Sequence, residues 1–127
     1  MTVAIADTTV VVHLYRRYTP ALTWYGSLSQ PLGITPITWL EVMYSAGSKA
    51  KQAVCKALLN QFDLVYLTSV DQNWAMQQME SYRLSHGVTT DDCLIAAVAH
   101  RLQLPLYTHN LKDMTPMVGE LAVRPYA

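Results

Sequence analysis

The sequence predicts an α/β fold, a small and mostly parallel sheet covered by helices on both faces, and three observations predict it. Short apolar runs of strand type alternate with helical patterns along the whole chain, as parallel strands linked by helical crossovers require. Of the 127 residues, 51% are hydrophobic and 14% charged, so there is a core to bury and too little charge to keep the chain disordered. That length suits one compact domain, and a single unit over residues 1–127 is expected.

Val3 to Ala6 is an apolar run of strand type, and Thr8 or Thr9 can cap a helix carrying Val10, Val11, Leu14 and Arg17. Ala21 to Leu28 reads as a short helix before the breaker Pro31-Leu-Gly33. Ile34 and Thr35 form a second strand, and Pro36 suits the first turn of a helix that Gly47 stops after about Ala46. Ser48 to Phe62 is helical, with Ala50, Val54, Leu58 and Phe62 on one stripe and Lys49, Gln52, Lys56 and Asn60 on another. Leu64 to Leu67 is a third strand. From Ser69, with Asp71 in the first turn, a longer helix carries Trp74, Met76, Met79 and Leu84 to the stop signal His86-Gly87. A helix over Thr90 to Leu102, a strand at Pro105 to Tyr107, a loop or short helix over Leu111 to Met117 and a strand at Leu121 to Val123 follow.

Nine Lys and Arg balance nine Asp and Glu, so no global field draws the chain to nucleic acid or to an anionic membrane. No apolar run reaches the ~18 residues of a membrane span, and Asp7 interrupts an N-terminal stretch with no basic residue ahead of it. Neither an anchor nor a signal peptide is expected. Cys55 and Cys93 lie in helical patterns without CxxC spacing and read as reduced core thiols of a cytoplasmic protein.

The placement of the acids is the most informative feature. Asp7 ends the first strand, and in an open α/β sheet ligands bind at the carboxyl ends of strands; its simpler reading is a helix N-cap. Ile37, Leu40, Glu41 and Tyr44 follow helical spacing, which projects Glu41 from a face expected to enter the core. An unpaired buried charge costs several kcal/mol, and few basic residues lie on apolar faces, which favours a metal over a salt bridge. Of Asp91 and Asp92, one can cap the helix that follows and the other is surplus; Asp92 lines up with Ile95, Ala96 and Ala99. Thr108 to Asp113 leaves the fourth strand with a hydroxyl, an amide and an acid, a polar loop if taken alone. Together Asp7, Glu41, Asp92 and Asp113 would repel one another unless a cation held them. Oxygen-only ligation selects Mg²⁺ or Mn²⁺, and such an ion suits phosphodiester hydrolysis.

Asp7-Thr-Thr-Val, Ile37-Thr-Trp-Leu-Glu41-Val-Met, Asp92-Cys-Leu-Ile-Ala-Ala-Val-Ala99 and Pro105-Leu-Tyr-Thr-His-Asn-Leu-Lys-Asp113 closely resemble, in this order, the four blocks of PIN-domain nucleases. The VapC type, the toxin half of VapBC toxin–antitoxin pairs, is most similar, and the resemblance extends to the closing Val123-Arg-Pro-Tyr126. It implies a three-layer α/β/α sandwich and an acidic quartet, Asp7, Glu41, Asp92 and Asp113, that binds Mg²⁺ or Mn²⁺ to cut RNA. The Asp-x-x-Ile-Ala-Ala pattern assigns Asp92 over Asp91. Thr108 matches the hydroxyl position of the last block and is assigned to positioning water or phosphate. Three positions depart from the usual pattern: Thr9 stands where Asn or Ser is common, Asn110 where the wider family is often acidic, and Met114 where an aromatic is frequent. The resemblance also implies a cognate antitoxin and a twofold homodimer. Three Trp, six Met and eight Tyr in so weakly charged a chain likewise favour a dimer.

Other constellations carry less. His13, His86, His100 and His109 lack zinc-ligand spacing, and the five glycines stand alone without a phosphate loop. Arg16 with Arg17 and Lys49 with Lys51 are local basic pairs that can touch RNA phosphates or simply form solvated surface. Trp24, Trp39 and Trp74 read as core or interface residues. The leading reading is a Mg²⁺-dependent endoribonuclease. The alternatives are a catalytically weak, PIN-like RNA-binding or regulatory module and a metal-dependent phosphatase on a related scaffold.

Overall fold

The computed structural model describes residues 1–127. Five two-residue strands, β1 (Ile5–Ala6), β2 (Gly33–Ile34), β3 (Asp63–Leu64), β4 (Leu106–Tyr107) and β5 (Ala122–Val123), form one sheet in the order β3-β2-β1-β4-β5. Every pairing is parallel, so the sheet expected to be mostly parallel is wholly so. Seven helices connect the strands: α1 (Thr8–Tyr15), α2 (Thr19–Gly26), α3 (Pro36–Ser45), α4 (Lys49–Leu59), α5 (Ser69–His86), α6 (Thr90–Leu102) and α7 (Leu111–Val118).

Alternation along β1 generates the layers. Ile5 enters a core built mainly on α5, α6 and α7, with Ile95, Ala96, Ala99, Leu106 and Met114. Ala4 and Ala6 point the other way, into a core of Val10, Val11, Ile34, Val42 and Cys55 contributed by α1 to α4 and β2. Two helical layers thus cover the two faces of one sheet, the expected α/β/α sandwich. Gly33 is needed where β2 crosses beside β1, because a Cβ there would stand 2.7 Å from the Thr2 side chain and 3.0 Å from that of Val65. Cys55 and Cys93 are free and buried, and no helix is long and apolar enough to cross a membrane.

Four local expectations are corrected. Asp7 is the N-cap of α1, as its simpler reading has it, and Thr8 or Thr9 is not, because the extended backbone of Asp7 lets its carboxylate accept from the Thr8 N–H. Likewise Thr89, not Asp91, caps α6, with Asp92 completing a reciprocal capping box. On α3 the face with Ile37, Leu40, Glu41 and Tyr44 enters the core only through the partly buried Ile37: Thr38 and Val42 are buried, while Leu40 is 58% and Tyr44 92% exposed. Ile37, Leu40, Val42 and Met43 leave that helix apolar on more than one side, so packing against α1 rather than periodicity selects the inward face. On α4 the buried residues are Cys55 and Leu59, one position on from the expected Val54 and Leu58. The segment 111–117, open between loop and helix, is helical as α7.

Candidate active site

In the strand order, winding runs outward from β1 through β2 to β3 on one side and through β4 to β5 on the other, which places the topological switch point between β1 and β4. Asp7 leaves β1 and Thr108 leaves β4 at this crevice, tied across it by the Asp7 N–H donating to the Tyr107 carbonyl at 2.9 Å.

Asp7 is 3% exposed and receives three hydrogen bonds. Its Oδ1 accepts from the Thr8 N–H at 2.8 Å, and its Oδ2 accepts from Thr108 Oγ1 at 2.7 Å and more distantly from Thr9 Oγ1 at 3.4 Å. Thr108 is fully buried, and its hydroxyl also accepts the Asn110 N–H at 2.9 Å, which fixes the hydroxyl proton on Asp7. Burial nevertheless pushes the Asp7 carboxyl up from 3.8 to about 6, against those hydrogen bonds and with help from Asp92.

Glu41 reaches the same crevice from α3. Its Oε1 accepts from Thr8 Oγ1 at 2.7 Å, and that hydroxyl stands 2.9 Å from the hydroxyl of buried Thr38. Burial raises the Glu41 carboxyl to about 7, opposed by the Thr8 bond and reinforced by Asp91 and Asp7. Asp92, in the first turn of α6, is raised chiefly by burial, with Asp113 and Asp91 adding repulsion. The Asn110 amide nitrogen bridges the remaining pair, 3.0 Å from Asp113 Oδ2 and 3.5 Å from Asp92 Oδ2. Asp7, Glu41, Asp92 and Asp113 are therefore brought together at one end of the sheet, with Thr9, Thr108 and Asn110 among them.

No basic side chain neutralises this group. The single ion pair of the chain joins Arg101 to buried Asp71 at 2.9 Å, on α5 and α6. Arg16 and Arg17 are exposed at the far end of α1, about 14 Å along the helix from Asp7 by helical rise. Lys49 lines a shallow groove with Trp39 and Lys56, whereas Lys51 is exposed outside it. The donors fit Mg²⁺ or Mn²⁺ chemically, being oxygens on carboxylates that burial and mutual repulsion hold in need of positive charge. No three acidic, His or Cys side chains close around one point, so a bound ion would keep several waters, as Mg²⁺ commonly does.

Sequence reasoning missed three contributors: Thr8 and Thr38, whose hydroxyls support Glu41, and Asp91, which joins Glu41 in lining a cleft of about 700 Å³. Thr38 had a signal, a polar residue three before Glu41 in an otherwise apolar helix. Thr8 was read only as a cap.

A family model described as PIN domain matches residues 4–112, ending one residue before Asp113. No curated protein matches the sequence. Among solved structures, a toxin–antitoxin complex from Klebsiella pneumoniae superposes with TM-score 0.79 at 24% identity, over 97% of this chain and 98% of that one. DNA-bound VapBC from Salmonella typhimurium gives 0.78 at 20% identity, over 94% and 95%. VapBC2 from Rickettsia felis, bound to a fragment of promoter DNA, gives 0.75 at 17%, over 91% and 93%. These likenesses extend the shared fold over nearly the full chain. With most of its length matched by the family model and its acids gathered at the switch point, the chain belongs to the PIN domain family, a family of nucleases.

Proposed function

We propose that the protein is a VapC-type toxin, an endoribonuclease dependent on Mg²⁺ or Mn²⁺ and restrained by a cognate antitoxin. The observation that carries this reading is the crevice with four carboxylates and no Lys or Arg paired to them, two of the acids raised to about 6 and about 7. Asp7, Glu41, Asp92 and Asp113 are the metal-holding and catalytic residues. When bound, the ion supplies an activated water and charge stabilisation at the leaving oxygen. Thr108 and Thr8 orient Asp7 and Glu41 beforehand, so their carboxylates need little rearrangement to accept the ion. Asn110 spaces Asp92 from Asp113, a supporting task for an amide rather than a direct ligand. Thr9 contributes the hydroxyl that Ser would, toward Asp7.

For RNA phosphates Lys49 is the best-placed basic residue named by the sequence, since its groove shares Met43 with the cleft at Glu41. Arg16, Arg17 and Lys51 lie farther off and contribute weakly. The exposed apolar faces of α3 and α5, where Leu40, Tyr44, Met76 and Leu84 are 58, 92, 69 and 100% exposed, support a homodimer. Ile37 lines the clefts on both sides, making one continuous surface.

The test is cleavage of structured RNA by wild type and Asp7→Asn, with Mg²⁺ or Mn²⁺ and with excess EDTA. Metal-dependent cleavage that Asp7→Asn loses is expected. Equal cleavage by both proteins in EDTA overturns the mechanism; RNA binding without cleavage would assign a regulatory module, and hydrolysis of a phosphomonoester alone would assign a phosphatase.

A further inference from the structure

The C-terminal residues fold back over α1 and α2 instead of leaving the domain. The Tyr126 ring lies 4.5 Å from His109, 5.4 Å from Trp24 and 5.7 Å from His13, centroid to centroid, and its hydroxyl stands 2.7 Å from His13 Nδ1. That hydroxyl has no other partner, and the His13 tautomer sets which of the two donates. Tyr18 Oη–H in turn donates to the Ala127 carbonyl at 3.0 Å. The His13 ring meets His109 edge-on at 4.7 Å, so His109 is held between His13 and Tyr126.

His109 occupies the centre of the loop that orients Asp7. Its N–H donates to Thr9 Oγ1 at 3.1 Å, the residue before it donates its hydroxyl to Asp7, and the residue after it donates its N–H to that same hydroxyl. The His109 Nε2 is buried without a hydrogen-bond partner within the chain, so that edge of the ring is placed by packing. Burial and neighbouring His13 lower its basicity, which keeps both imidazoles compatible at this distance. The ring contacts of Tyr126, His13 and His109 are with one another and not with an acid of the crevice.

We propose that Tyr126 and His109 are positioning residues: the C-terminal tyrosine clamps the His109 ring, and through the Thr108–Asn110 backbone it sets the orientation in which Asp7 receives its metal. The inference rests on the reading of Asp7 as a metal ligand. A clamp acting this way affects metal affinity without touching metal or RNA, on the scale known for groups that stand behind a ligand.

The experiment titrates Mn²⁺ by calorimetry, well below each melting temperature, into wild type, Asp7→Asn, Tyr126→Ala, Tyr126→Leu and Tyr126→Phe, and follows exchange of the His109 amide in each. Tyr126→Ala is expected to weaken Mn²⁺ binding about tenfold and to speed that exchange, as loss of a support behind a ligand does. Tyr126→Phe, which keeps the ring, should restore most of the affinity. Tyr126→Leu fills the volume without the ring and serves where Tyr126→Ala does not fold; it should still bind weakly. Unchanged affinity in both the Ala and Leu variants, with Asp7→Asn impaired, overturns the clamp and leaves the metal reading intact. No Mn²⁺ binding by wild type overturns the metal reading itself, and the clamp with it.

Discussion

Asp7 carries a conflict that single residues cannot resolve: three hydrogen bonds favour its charged form, yet burial outweighs them and lifts its carboxyl to about 6. Glu41, lifted to about 7, shares the conflict with fewer donors. The sign of the pH dependence follows. In the metal-free protein both groups keep their protons in the folded state above the pH at which the unfolded chain loses them. Their stabilising contribution is thus fully present below about pH 4 and is lost as pH rises through about 6 and 7. The melting temperature of the metal-free protein should fall between pH 5 and pH 8, approximate limits set by those shifts, while the stabilisation produced by Mn²⁺ should grow over the same interval. Thermal scans across that range, with and without Mn²⁺, check both slopes. Glu41→Gln should leave the metal-free protein as stable or more stable, since no Arg or Lys pairs with Glu41. A denaturant titration showing a loss of several kcal/mol would instead reveal a structural ion pair. Thr108→Val removes the donor to Asp7 and the acceptor of the Asn110 N–H together, so it should cost about 1–3 kcal/mol by leaving a buried donor unpaired.

At the scale of elements, α3 decides most. Its Thr35 cap and Pro36 start are readable as local chemistry, and the helix begins there. Which side faces inward is not local. The Thr8 and Thr38 hydroxyls meet at 2.9 Å and turn Glu41 toward the crevice, leaving Leu40 and Tyr44 outside. If that outer face, with α5, joins two copies, wild type should sediment at about twice 14.2 kDa at micromolar concentration. Leu40→Lys combined with Met76→Lys should return it to the monomer mass without lowering the melting temperature by more than a few degrees, because both side chains are already exposed. A monomeric wild type at every concentration would sink the dimer and leave the single-site chemistry standing. The offset of the α4 stripe has the same origin as that of α3: apolar residues stand at adjacent positions, so the buried set is chosen by what α4 packs on.

Over the whole molecule, the same acids raise the question of what holds the domain together at its crevice. Saturating Mn²⁺ should raise the melting temperature of wild type by mass action, and Asp7→Asn should respond less while remaining folded, as scanning calorimetry of the two proteins can show. Much of this was legible in the sequence. Strand–helix alternation determined a parallel sheet with two covered faces, because a parallel connection needs a crossover and each crossover brings a helix. An acid at the end of β1 and a polar run after β4 marked the carboxyl edge, because apolar strands end where side chains must change character. Other features belonged to the tertiary structure alone. The division of labour between Asp91, beside Glu41, and Asp92, beside Asp7 and Asp113, depends on the rotation of α6, and two consecutive acids look alike until that rotation is set. The support of Glu41 by Thr8, across 33 positions, and the closure of Tyr126 onto His13, across 113, depend on contacts between segments that no local pattern relates. Periodicity records which residues can share a face; only the packed sheet decides which face looks into the crevice.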